Sequence, residues 1–473
     1  MTGAIPVAFY APLKSPNHPS PSGDRTMARL LLEALTAAGF APALASEIRT
    51  LDTAGHGEVQ AEIRARSEAE AARLVETYRA LPPAQRPRLW FTYHVYYKAP
   101  DWIGPVVADA LGIPYAVAEG SRAAKRASGP WALGHRGAEA ALDRADALFV
   151  MTAKDRVALK RDRRPGQILV DLPPFLDEEG WISSLPAMGR CPEGAGGVEA
   201  RAVQEAHFPP PACGGEGSAV GGAGAALGFS EPASRQPFLQ HTGSGTAPHP
   251  LSLPAASGGR EKRSTQQQRA SIPPDLADAG PPSLGRESGE PRLLTVAMMR
   301  RGDKLASYRI LAEALGLLRD RPWTLTVAGD GEARAEVEAL FVSFENRVTF
   351  LGQVDDRARL AALYREADLL LWPAVNEAYG MVLLEAQAMG CPVVAGDFGG
   401  VASVVEHGRT GHLALPGDAA AFAAAIRGLL DDPARIASLS EAAFRFVREE
   451  RSLGAAALRL GAGLAPLLAG GRG

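Results

Sequence analysis

Residues 369–400 read LLLWPAVNEAYGMVLLEAQAMGCPVVAGDFGG, and the pattern of this stretch decides the fold. Leu369 to Trp372 is a continuous apolar run stopped by Pro373, as expected of a strand buried on both faces, and Pro392 to Ala395 is a second such run. Between them Met381, Leu384 and Ala388 recur at helical spacing, and Gly390 stands where a left-handed cap would end the helix. The segment reads strand, loop, helix, strand. In a parallel sheet the loop at the carboxyl end of the first strand opens onto the ligand crevice, which puts Glu377 and the helix start at Gly380, Met381 and Val382 beside the ligand. Free backbone N–H groups and the helix dipole favour a phosphate there, and Gly380 lets the backbone come close to it.

Glu377 lies in the loop and Glu385 inside the helix, seven residues between them, so they can serve different ends of one ligand. A carboxylate is poorly suited to touch phosphate but accepts hydrogen bonds from sugar and ribose hydroxyls on either side of it. In this context the E-x7-E of NEAYGMVLLEAQAMGCPVVA resembles the signature of the retaining, group-1 (family 4) glycosyltransferases of GT-B architecture. The resemblance implies an α/β fold of two doubly wound Rossmann-like domains facing a cleft. It also implies transfer of a sugar from a nucleoside diphosphate-sugar to an acceptor hydroxyl, with retention at the anomeric carbon. No cofactor or metal is implied, because the nucleotide-sugar is a co-substrate. Glu377 would contact the transferred sugar and Glu385 the ribose.

Composition sets outer bounds. The chain has 473 residues, enough for more than one domain, and 46% of them are hydrophobic. A formal net charge of -3 argues against a nucleic-acid binder but leaves room for a local basic patch at a membrane surface. No stretch is long and apolar enough to span a bilayer, and the N-terminus lacks the pattern of a signal peptide. The expected location is the cytoplasm, or the inner face of the membrane by peripheral association. Cys191, Cys213 and Cys391 show neither metal-ligand spacing nor a disulfide framework.

Residues 1–184 read as an N-terminal, acceptor-side Rossmann-like domain in which strands and helices alternate. Pro6 to Ala11 is its first strand, and the helix that follows has Ser22 as N-cap, Asp24 in its first turn and Gly39 at its end. Gly23 would present its backbone to the donor phosphates from this side; where the family has a glycine pair, this chain has Pro21-Ser22-Gly23. Leu89 to Tyr93 is a strand that delivers His94 to its carboxyl end, where His94 resembles the histidine that retaining members place beside the donor sugar. The cluster from Glu119 through Arg122 to Lys125 and Arg126 reads either as an acceptor or phosphate contact or as exposed charge.

Residues 185–290 are rich in Gly, Pro, Ser, Ala and Gln without periodicity, and read as a disordered insertion. Order resumes over 291–452, a second Rossmann-like domain that would bind the nucleotide-sugar. Leu293 to Ala297 is its first strand, followed by a loop with Arg300, Arg301 and Lys304; such cations neutralise a diphosphate where no metal is bound. The family pattern of an Arg shortly before a Lys is met by Lys304 with Arg300, which we take over Arg301. Gly352-Gln353-Val354 resembles the backbone against which the family places the nucleobase, so Val354 is the base-side residue. Val401 to His407 reads as a helix, and the apolar residues 453–473 as a C-terminal helix returning to the first domain. The partners expected are a nucleotide-sugar donor and a glycan, lipid-linked or small-molecule acceptor. A nucleotide-sugar epimerase, or a non-catalytic nucleotide-sugar-binding protein, would share the same phosphate-binding features.

Overall fold

A computed structural model describes residues 4–20, 22–184 and 289–469. The expected insertion at 185–290, with Cys191 and Cys213, lies almost entirely outside these residues, as does Pro21.

Two six-stranded sheets organise the described chain, and every strand pair in them is parallel. The first contains β1 (Ile5–Tyr10), β2 (Phe40–Ser46), β3 (Leu89–Val95), β4 (Tyr115–Gly120), β5 (Ala147–Val150) and β6 (Ile168–Asp171), in the order β2-β1-β3-β4-β5-β6. The second contains β7 (Arg292–Val296), β8 (Thr324–Ala328), β9 (Val348–Gly352), β10 (Leu369–Trp372), β11 (Val393–Gly396) and β12 (Gly411–Ala414), in the order β12-β11-β10-β7-β8-β9. Their central strands are apolar on both faces because helices cover both sides of each sheet, and β5, β10 and β11 are buried throughout.

The direction in which successive strands are added to the sheet reverses at two places, between β1 and β3 and between β7 and β10. At such a switch point the connections leave in opposite directions and open a crevice at the carboxyl ends of the strands. The loop after β1 leads to Gly23, β3 ends at His94 and Val95, the loop after β7 carries Arg300 and the loop after β10 carries Glu377.

The C-terminal helix Leu453–Ala469 buries Ala456, Leu460, Gly463 and Leu464, and it packs on the helix Gly23–Ala37 and on β6 of the first sheet. A methyl group at Gly463 would lie 2.8 Å from the Phe149 ring and 2.9 Å from Val170, so the helix rests directly on β5 and β6. The crossing is pinned where Leu176 N donates to Arg451 O at 2.9 Å and Leu453 N donates to Glu178 at 3.1 Å.

One element differs from the sequence reading. Val401 to His407 forms only a 3-10 turn at Val401–Ser403. The β-branched Val404 and Val405 are fully buried and disfavour a continued helix, while Glu406 N donates to Thr410 Oγ1 at 3.0 Å in the turn that leads into β12.

Candidate active site

The loop Pro373–Gly380 is held in an unusual backbone. Ala374 (φ 57°) and Asn376 (φ 51°) are left-handed without being glycine, and Gly380 (φ 77°) caps the helix Met381–Ala388. Such conformations persist only where neighbours impose them. Val375 N donates to Ser307 Oγ at 3.0 Å and the Asn376 amide donates to Asp303 at 2.9 Å, which ties the loop to the helix Asp303–Gly316. From below, Gly399 and Gly400 press against it: a side chain on either would come within 2.1 to 2.3 Å of the carbonyls of Glu377 and Ala378. Gly400 N donates to Ala378 O at 2.7 Å.

The result is a fixed carboxylate. Glu377 Oε2 accepts from Lys304 Nζ at 2.5 Å and from Trp372 Nε1 at 3.2 Å, and Lys304 also lies 5.1 Å from the centre of the Trp372 ring. Arg300, Arg301, Asp303, Lys304, Val375 and Glu377 are among the residues around a cavity of about 550 Å³ at the β7/β10 switch point. Arg301 donates to Glu336 at 2.8 Å, whereas Arg300 has no carboxylate partner among the described residues. Of the two arginines weighed from sequence, Arg300 is the one whose charge is uncommitted. The Gly329–Gly331 turn supports the floor: side chains there would strike the carbonyls of Ala297 and Met299, so these glycines serve packing against the loop after β7.

The remaining sequence candidates lie beside this cavity or apart from it. Gly380, Met381 and Val382 form the helix start beside Glu377. Gly23 opens the helix Gly23–Ala37, and a methyl group on it would lie 3.9 Å from Met381 Cγ, so two helix N-termini, one from each domain, face one another. Glu385 does not line the cavity; its carboxylate accepts from Tyr364 Oη at 2.9 Å, and burial, only partly offset by that bond, pushes its pKa up to about 7. Val354 sits half-buried after β9 and outside the cavity.

His94 belongs to a group that sequence alone did not assemble. It is left-handed (φ 65°), and its Nδ1 lies 3.2 Å from Asp24 Oδ1 and 3.7 Å from Glu119 Oε1. Burial would lower its pKa, but the charge of Glu119 and the hydrogen bond and charge of Asp24 outweigh this and lift it to about 9. At neutral pH it is an imidazolium. Asp24 feels the opposite balance: burial raises its pKa, and the His94 bond and charge bring it below the usual carboxylate value. Beside this group Tyr93 and Tyr379, one from each domain, meet hydroxyl to hydroxyl at 3.1 Å. The sequence signals for these partners were an acidic residue in a first helical turn and a Glu at a strand end, both too common to single out.

Arg122 is not exposed charge. It is buried and donates to Glu139 and, at 2.6 Å, to Asp143. Arg126 stacks on Trp131 and Tyr97. Among the described residues no group of three or more His, Cys, Asp or Glu side chains could hold a metal ion, and no helix is long and apolar enough to cross a membrane.

Two parallel-sheet Rossmann-like domains, with a cation-lined cavity at a switch point, define the GT-B class of fold. Residues 290–432, which hold most of the second domain, match the family described as Glycosyl transferases group 1. The D-inositol 3-phosphate glycosyltransferase of Pseudarthrobacter chlorophenolicus is 34% identical over 191 residues, which cover 36% of this chain and 45% of that protein. The chain spans less than half the length of the curated relatives it matches first. Among solved structures, the sucrose-phosphate synthase of Thermosynechococcus elongatus superposes with a TM-score of 0.56 at 18% identity, covering 98% of this chain and 99% of that one. Anabaena HepE in complex with UDP gives 0.56 at 14% identity, covering 98% and 100%. These likenesses establish the GT-B fold.

Proposed function

We propose that this protein is a retaining, metal-independent glycosyltransferase that moves a sugar from a nucleoside diphosphate-sugar to an acceptor hydroxyl. The observation that carries the reading is the cavity in which Arg300, Lys304 and Glu377 meet at the start of the helix Met381–Ala388. Arg300 and Lys304 supply charge for a diphosphate, and the N–H groups of Met381 and Val382, with Gly23 opposite, supply a neutral cradle. Lys304, already bonded to Glu377, links the phosphate end of the donor to the carboxylate that positions its sugar.

Positive charge that develops at the anomeric carbon is stabilised by the fixed carboxylate of Glu377, which the Trp372 and Lys304 bonds hold before substrate arrives. His94, charged and held at Nδ1 by Asp24, has Nε2–H left to donate to a sugar oxygen. Glu385 is the ribose-side residue and the Val354 segment the base-side one. Relatives named D-inositol 3-phosphate glycosyltransferase and glycogen synthase favour a small polyol or glycan acceptor.

The test is a thermal-shift and calorimetric screen of the full chain with UDP, GDP, ADP and their sugars, followed by transfer assays with and without EDTA. Binding raises the melting temperature by mass action. Equal affinity for nucleoside and nucleoside diphosphate, or strict dependence on Mg or Mn, overturns the reading; the anomeric configuration of the product decides retention.

A further inference from the structure

Glu119 stands out among the buried polar groups. It ends β4 in a left-handed backbone (φ 58°), one strand away from His94 in the same conformation, and both sit at carboxyl ends of parallel strands. A side chain other than glycine adopts this region only when the surroundings impose it, and such residues gather at sites of function. Its carboxylate is more than nine-tenths buried. One oxygen, Oε1, lies 3.7 Å from His94 Nδ1; the other, Oε2, is buried with no hydrogen-bond partner among the described residues. A carboxyl oxygen withdrawn from water without a close hydrogen bond is unfavourable for the unliganded fold.

The groups that bear on it are the charges of Asp24, His94 and Asp155, and the hydroxyls of Tyr93 and Tyr379, which interact with the carboxyl group without reaching Oε2 in a close hydrogen bond. Acidic side chains outnumber the one imidazole here, so a phosphate or carboxylate is disfavoured at this spot and a neutral hydroxyl is accepted. Tyr379 lies in the loop between Glu377 and the helix at Met381, so this end of β4 adjoins the residues assigned to the transferred sugar.

We propose that Glu119 is a substrate-contacting specificity residue whose Oε2 accepts a hydrogen bond from a hydroxyl of the transferred sugar, so that the sugar is a neutral polyhydroxyl ring at this position. The inference rests on the glycosyltransferase reading and adds a contact to it. Glu119 has two duties: Oε1 helps keep His94 charged, and Oε2 reads the sugar. The arriving hydroxyl supplies the close donor that Oε2 lacks in the unliganded protein.

The experiment compares the full chain with Glu119→Gln and Glu119→Ala. Unliganded melting temperatures are measured at pH 7, with affinities for UDP, GDP and ADP and for UDP-glucose, GDP-mannose and ADP-glucose, and with turnover of whichever sugar nucleotide the wild type consumes. Burial also raises the Glu119 pKa, so a neutral isostere should leave the unliganded melting temperature of Glu119→Gln equal or higher. Affinity for the bare diphosphate should be unchanged, while sugar-nucleotide turnover falls about tenfold or more, as loss of one charged hydrogen bond predicts. The pKa of His94, followed by NMR, should drop from about 9 in both variants. A lower melting temperature together with weaker diphosphate binding would assign Glu119 to the scaffold and overturn the proposal. Unchanged turnover in Glu119→Gln overturns it as well, with the glycosyltransferase reading intact. If the wild type binds none of the six nucleotides, both readings fall together.

Discussion

The site's residues divide by how their charge is held. Lys304 is bound to Glu377, so a diphosphate entering the cavity meets a cation whose position is already set. Lys304→Ala should weaken nucleoside diphosphate binding by about 1.5 to 3 kcal/mol, read by calorimetry, because one charge-assisted contact is lost. Glu377→Gln should lower the turnover number more than the affinity for bare nucleoside diphosphate, since a fixed carboxylate matters most as positive charge grows at the sugar. Steady-state kinetics of that variant reaching wild-type turnover would refute the assignment. Glu385 adds a pH signature. Its pKa stands at about 7, raised by burial from 4.5, so its effect on folding favours the protonated form: that stability is full below about 4.5 and is lost as pH rises through 7. Ribose hydroxyls donate to the ionised form, so nucleotide affinity should strengthen as pH climbs through 7, and Glu385→Gln should flatten the profile.

At the scale of elements, the helix Met381–Ala388 depends on its first residue before the helix proper. Gly380 has φ 77°, and a methyl group there would lie 3.1 Å from Leu383 and 3.3 Å from Glu377 Cγ. Gly380→Ala should destabilise the fold by about 1 kcal/mol or more, because the left-handed backbone disfavours Ala, and should also displace Glu377. Chemical denaturation and nucleotide titration measured together check both effects. The alternative, an unperturbed nucleotide affinity, would mean that the helix start does not set the phosphate site.

Across the whole molecule, the C-terminal helix Leu453–Ala469 belongs in sequence to the second domain's end but packs on the first sheet. Leu460 is fully buried in that contact, so Leu460→Ala should lower stability by about 2 to 5 kcal/mol. Gly463→Ala should also destabilise, despite the better helix propensity of Ala, because Phe149 and Val170 already fill the space. Thermal melts of both variants distinguish this docking from a loosely attached tail, for which Gly463→Ala would be neutral or stabilising.

Alternation of apolar runs with helical periodicity was enough to read two parallel α/β domains, because burial on both faces of a strand is written directly into composition. The sequence also placed Glu377, Lys304 and the helix start at Gly380 near one another, since all three lie within a few residues of strand ends on the same crevice. It left Arg300 against Arg301 to a family pattern. Only tertiary structure supplied Glu336, which takes up Arg301, and it alone turned Glu385 to Tyr364 and gave Arg122 to Glu139 and Asp143. The same holds for Asp24, His94 and Glu119, which come from three separate segments and meet only when β3, β4 and the helix Gly23–Ala37 pack. Periodicity reports which face of an element is buried. It carries no information about which distant side chain lies opposite, and charge pairing, pKa and an unpartnered buried oxygen are all properties of that opposite neighbour.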